Sequence, residues 1–172
     1  MRYHFESRQW LPYSVEHIFG FFSNPENLPR LMPDWQRARI DKATLQPPPP
    51  SPHLAHANGN PIAGAGSLIT LSFRPVPFSP LRVSWDAKID QFVWNGHFCD
   101  LQLRGPFAYW HHCHHVSAET RDGVPGTLLR DELRYEMPFG FLGSIANWAA
   151  VSGQIRSTFA FRRQRTAELL RS

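Results

Sequence analysis

The chain has 172 residues, 42% hydrophobic, 19% charged and 13% aromatic, enough to bury a sizeable core and short for two domains. Its 18 Lys and Arg against 14 Asp and Glu leave a formal charge of +4, and the aromatics stand in apolar alternation rather than between basic residues, which argues against a nucleic-acid binder. Two cysteines, Cys99 and Cys113, make no disulfide framework and match no zinc spacing; with no signal-like start and no run of ~18 apolar residues that reads as a membrane span, a cytoplasmic protein without stable membrane insertion is expected.

Residues 2 to 10 alternate, Tyr3 and Phe5 against His4, Glu6 and Arg8, as a half-buried strand does. Ser14 is an N-cap for a short helix carrying Val15, Ile18, Phe19 and Phe22 on one face. Asn24 and Pro25 start a second helix, which Pro33 stops. Residues 36 to 45 read as a weak strand. Pro47 to Pro50, Ser51 and Pro52 then lead into Gly/Ala/Asn-rich chain as far as Gly66. A proline run lacks backbone donors, so 47–66 is expected as a loop insertion.

From Ser67 onward the period is two. Ile69, Leu71 and Phe73 alternate, then Leu81, Val83, Trp85, Ala87 and Ile89, and further runs span 97–104, 107–118 and 127–137. Gly105-Pro106 and the stretch Asp122 to Gly126 supply the last two turns. After Pro138 and Gly140, Phe141, Ile145, Trp148, Ser152, Ile155 and Phe159 step by three or four, the pattern of a long helix. The expected fold is α+β: a curved antiparallel sheet of about seven strands around a long C-terminal helix, with two short helices after strand one, in a single domain over 1–172. Such a sheet has only that helix to cover its apolar face, and the two enclose a pocket. Arg162, Arg163, Arg165 and Arg171 read as a solvated helix end.

The stretch from Trp110 to His115 holds four of the nine histidines. Alternation sends Trp110, His112, His114 and Val116 one way and Tyr109, His111, Cys113 and His115 the other. In the next run Asp131 shares its face with Leu129, Leu133, Tyr135 and Met137, so a carboxylate is expected inside and needs a partner. If Ala118 opposes Thr127, Asp131 lies opposite His114. The preceding hairpin admits two registers. In one, Arg104 opposes Phe107 and Cys99 and His97 join His112 and His114. In the other, Asp100 opposes His112 and the two thiols meet on the outer face.

Three roles compete for this cluster: a polar network that holds the sheet, a group that orients a ligand in an apolar pocket, and a metal site of Cys99, His97, His112 and His114. Nucleophilic catalysis by either thiol lacks support. Trp85, Trp94 and Trp148 are core residues by default, with Trp85, Tyr135 and Trp148 lining a pocket in the functional reading. Phe139 to Gly143 forms either an apolar rim or a turn packed under the helix.

The string Phe98-x-Asp100-x-Gln102-x-x-Gly105-Pro106-Phe107-x-x-Trp110-x-His112-x-His114 resembles the ligand-binding SRPBCC domains of the START/Bet v 1-like superfamily. Thr127, Asp131, Tyr135 and Pro138 extend the likeness, which runs from Phe5 to Arg162. The insertion at 47–66 and Val116, where an aromatic is common, depart from the pattern. The resemblance implies a helix-grip fold with a deep apolar cavity. It implies binding or carriage of a lipid, quinone or polyketide-like molecule, or alternatively a cyclase or dehydratase using His112 or His114 as base with Asp131 orienting it. It brings no cofactor, and an epimerase-like protein as a possible partner. The candidate ligand-binding residues are then Trp85, Asp100, Trp110, His112, His114, Asp131, Tyr135 and Trp148.

Overall fold

Alternation at the start of the chain builds β1 (Arg2–Leu11), which turns Ser7 and Leu11 into the core. Next comes α1 (Val15–Ser23), whose first turn is capped as expected: the Ser14 hydroxyl accepts from the His17 N–H at 3.3 Å. Ile18, Phe19 and Phe22 form its buried face. Ser14→Ala should lower stability by about 1 kcal/mol, the usual worth of an N-cap, read as a reduced urea midpoint at unchanged slope. An unchanged midpoint would mean that the cap contributes nothing.

The second short helix is instead three single 3-10 turns, Pro25–Asn27, Pro29–Leu31 and Asp34–Gln36. Asn24 does cap the first, accepting from Glu26 N–H at 3.0 Å. Proline recurs at 25, 29 and 33, and each ring removes a donor and disfavours helix in the residue before it, so no turn propagates.

The computed structural model describes residues 1–50, 60–140, 142, 145 and 147–171. Among these, β2 (Arg39–Thr44), β3 (Leu68–Phe73), β4 (Val83–Val93), β5 (His97–Arg104), β6 (Tyr109–Arg121) and β7 (Val124–Glu136) join β1 in one antiparallel sheet ordered β1-β7-β6-β5-β4-β3-β2. Register shifts between Asp86 and Ala87, between Ile89 and Gln91 on β4, and between Ile40 and Lys42 on β2 bend it, because a bulge adds twist where it interrupts the ladder. The β6–β7 turn is tighter than the sequence reading allowed. Arg121 pairs with Val124, leaving only Asp122 and Gly123 between strands. Their φ values of 49° and 78° give the left-handed pair that a two-residue hairpin requires.

Of the insertion expected over 47–66, residues 51–59 lie outside the described residues. Its flanks are tied down: Trp94 Nε1 donates to the Pro49 carbonyl at 2.8 Å, and Gly64 N–H donates to that of Gln46 at 3.0 Å.

The C-terminal helix α2 (Ser152–Leu169) follows a π-helical turn at Asn147–Val151. A π turn inserts one residue into the helical repeat and swings the preceding chain by about 100°. The predicted apolar stripe is therefore cut in two. Ile155 and Phe159 are buried, while Ile145 and Trp148 point outward, Trp148 with 85% of its surface exposed. Phe141 and Gly143 lie outside the described residues, and Phe139 and Leu142 of the same stretch are exposed.

Candidate functional site

The concave face of the sheet, α2, α1 and the 3-10 turns surround a cavity of about 340 Å³. Its wall is apolar over most of its extent: Leu71, Trp85 and Ala87 come from the sheet, Leu28 and Met32 from the short turns, Ile155 and Phe159 from α2. Trp85 stands edge-on to Trp110 at 4.9 Å between ring centroids, an arrangement aromatic quadrupoles favour. Gln154 reaches across from α2, its amide donating to the Pro75 carbonyl at 2.8 Å.

The ionisable lining, Asp100, His112, His114 and Arg162, gathers on β5, β6 and one turn of α2. Asp100 pairs with His112 and Cys99 with Cys113, so the structure selects the second of the two registers. The turn explains it: Gln102 Nε2 donates to the Phe107 carbonyl at 2.7 Å, so a side chain closes a connection longer than Gly105-Pro106 alone. The candidate metal set of Cys99, His97, His112 and His114 falls with the other register. Cys99 and Cys113 turn to the face away from the cavity, joined there as a disulfide. That meeting of the two sulfurs is what the second register requires.

On β7, Asp131 lies opposite His114 and Leu133 opposite His112, as the pairing from Ala118 and Thr127 requires. Asp131 is buried. One of its oxygens, Oδ1, lies 2.6 Å from His114 Nδ1 and 3.1 Å from His112 Nε2. An ionised carboxylate only accepts, so these two nitrogens carry the protons. Burial opposes charge on Asp131, but the Arg162 guanidinium and the hydrogen bonds from both imidazoles outweigh it and hold the carboxyl well below its usual range. Burial, together with the charges of His112 and Arg162, pushes His114 down to about 3 despite Asp131, leaving it neutral at pH 7. Asp100, which faces the rings from β5, is shifted the other way: burial raises it against the pull of His112, Arg162 and His111.

Among the sequence candidates, Trp85, Asp100, Trp110, His112 and His114 line the cavity. Asp131 lies behind the two rings, and buried Tyr135 lies behind the aromatic wall, its ring 5.7 Å from Phe107 and 6.3 Å from Trp110. Trp148 does not join them, for the π turn directs it outward. Arg162, read as part of a solvated helix end, instead turns into the cavity. Its Nη2 lies 3.4 Å from His114 Nδ1, its guanidinium rests 5.1 Å from the Phe22 ring centre, and its Nε is buried without a hydrogen-bond partner among the described residues. The signal was present: Ile155, Phe159, Arg162 and Thr166 follow one helical stripe, and a run of arginines obscured the one on it.

Residues 11–162 match the family model described as polyketide cyclase / dehydrase and lipid transport. Comparison with curated proteins gave no match. Among solved structures, major latex-like protein 151 from Panax ginseng superposes with a TM-score of 0.61 at 9% identity, over 97% of this chain and 96% of the other. A truncated norcoclaurine synthase from Thalictrum flavum gives 0.62 at 13%, over 99% and 94%. A START superfamily protein from Mycobacterium smegmatis gives 0.59 at 15%, over 97% and 98%. At such identities these likenesses establish the helix-grip fold alone.

Proposed function

Since the chain belongs to the polyketide cyclase / dehydrase and lipid transport family, whose members bind hydrophobic molecules or act as cyclases, we propose that it binds and carries one hydrophobic small molecule. The observation that carries this reading is the separation of character within the cavity. An apolar chamber of about 340 Å³ suits the body of a lipid, quinone or polyketide-like compound, and its ionisable groups, Asp100, His112, His114 and Arg162, collect at one end, where they orient the ligand's oxygenated end. We read residues 1–172 as one such domain. Arg162 turns inward and Arg165 pairs with Glu168 at 3.1 Å, so the basic helix end offers no continuous face to a nucleic acid. An epimerase-like partner enters the reading through the family resemblance alone. A cytoplasmic location goes with Cys99 and Cys113 as thiols and an oxidising compartment with the bridge; either way they sit on the opposite face from the ligand.

Extracted, ligand-free protein should bind an anilinonaphthalene sulfonate probe at a single saturable site. Ala87 lies on the cavity wall and is buried, so Ala87→Phe should fill the chamber and weaken the probe about tenfold or more, equivalent to 1.4 kcal/mol, in a protein that still melts cooperatively. Wild-type protein that binds no apolar probe, or an Ala87→Phe variant that binds it unchanged, contradicts the reading.

A second reading, a cyclase or dehydratase, is favoured by the 2.6 Å contact between Asp131 and His114, the geometry of a base oriented by a carboxylate. It requires turnover that Asp131→Asn abolishes while probe binding persists.

A further inference from the structure

We propose that Asp100, His112 and His114 form a binding site for one divalent transition-metal ion, zinc foremost, with Asp131 as the outer carboxylate that fixes both imidazole rings. His112 and His114 are two residues apart on β6 and face the same way, and Asp100 is the direct neighbour of His112 on β5. Three ligating side chains therefore project from two paired strands, the rigid support a metal site needs.

Their atoms converge. One carboxylate oxygen of Asp100, Oδ2, lies 3.6 Å from His112 Nδ1 and 3.8 Å from His114 Nε2, and the three ligand atoms fall within 4.8 Å of one another. These separations are long for hydrogen bonds. They are close to the spacing of neighbouring corners of a tetrahedron, which for bonds of about 2.0–2.2 Å is roughly 3.3–3.6 Å.

The far side of each ring explains why its lone pair faces Asp100. Asp131 receives the proton-bearing nitrogen of both imidazoles, which leaves His112 Nδ1 and His114 Nε2 bare and directed toward the same carboxylate. Three ligand atoms thus lie within 4.8 Å of one another, a spacing that one cation can bridge. A carboxylate behind a ligating imidazole is the usual device for setting tautomer and ring orientation. Two imidazoles and one carboxylate form a borderline donor set, suited to zinc, iron(II), cobalt or nickel rather than to magnesium or calcium. All three ligating residues line the cavity, so the remaining coordination position opens to the ligand chamber. With two carboxylates, Arg162 and a divalent ion, this pole carries a net positive charge and selects an anionic oxygen as the fourth ligand. The metal site itself stands independently of the carrier reading.

The test uses the full chain, stripped with a chelator and titrated with Zn²⁺ by calorimetry and with Co²⁺ by visible absorption. The proposal expects one equivalent of each, tetrahedral Co²⁺ bands without thiolate charge transfer, and a melting temperature that rises with Zn²⁺. Asp100→Asn keeps the side chain's size and should fold as wild type without metal while losing affinity about tenfold or more, and Asp131→Asn should weaken binding about 10–100-fold as an outer-shell change does. Nine histidines in the chain could bind metal adventitiously, and such binding would ignore Asp100→Asn. That result overturns the proposal, as does the absence of one-to-one binding. Sulfur-to-cobalt charge transfer, which would assign the ion to Cys99, His111 and Cys113 on the outer face, overturns it equally. Probe binding by the stripped protein reports separately on the carrier reading.

Discussion

Asp131→Ala should cost about 1–3 kcal/mol of stability, the usual loss when a buried polar group is left unsatisfied. The carboxylate accepts from two buried rings through a single oxygen and, from behind them, feels the charge of Arg162 on the cavity wall. Alanine leaves two buried ring N–H groups without an acceptor and removes the carboxylate charge that the Arg162 guanidinium acts on. Asp131→Asn should be milder, because its amide oxygen still accepts from a ring although it no longer carries that charge. Chemical denaturation of both variants checks this. If alanine melts within a degree or two of wild type, the carboxylate is not what holds the two rings.

Acid should unfold the metal-free protein well before ordinary carboxylates titrate. His114 ionises near 3 in the folded chain against an ordinary 6.5, so between these values the unfolded state binds a proton that the folded state refuses. Stability from this group is complete above about pH 6.5 and falls with acidification by up to about 1.4 kcal/mol per pH unit. Asp131, lowered in the fold, contributes stability that is present above its unfolded value and is lost as pH falls through the folded one, so it adds at the acid end. Asp100 runs in the opposite sense. Its raised value means that the folded state takes up the proton first, which offsets part of the loss. Denaturation midpoints should therefore be level above neutrality and fall from pH 6.5 downward. His114→Gln should flatten the upper part of the slope, and Asp100→Asn should steepen the curve. A His114→Gln profile identical to wild type would show that the imidazole titrates normally.

Local periodicity carried most of the architecture. Seven strands, the Ser14 cap and the inward face of β6 and β7 all follow from alternation and turn chemistry, and one assumed pair, Ala118 with Thr127, placed Asp131 beside His114. Where the reading stopped, the deciding information was not local. The register of β5 on β6 depends on a Gln102 side chain bonding five residues ahead, which no hydrophobic pattern encodes. Trp148 fits the apolar stripe of a regular helix, and only the π turn takes it out of the pocket. Arg162 was hidden for a related reason: charge suggests solvent, whereas a long side chain can bury its stem and still bring its charge to an interior carboxylate.

The pairing of Cys99 with Cys113 bears on how the site is assembled. Slipping β5 by one residue against β6 would place Cys99 opposite His112 and turn the two sulfurs to opposite faces, beyond the reach of a covalent bond. The bridge can therefore close only in the alignment that sets Asp100 against His112. Under oxidising refolding, correctly aligned chains are expected to be trapped by the bridge and slipped ones to keep free thiols. Thiol titration of a refolding mixture should count misaligned molecules directly, on the face of the sheet turned away from the cavity.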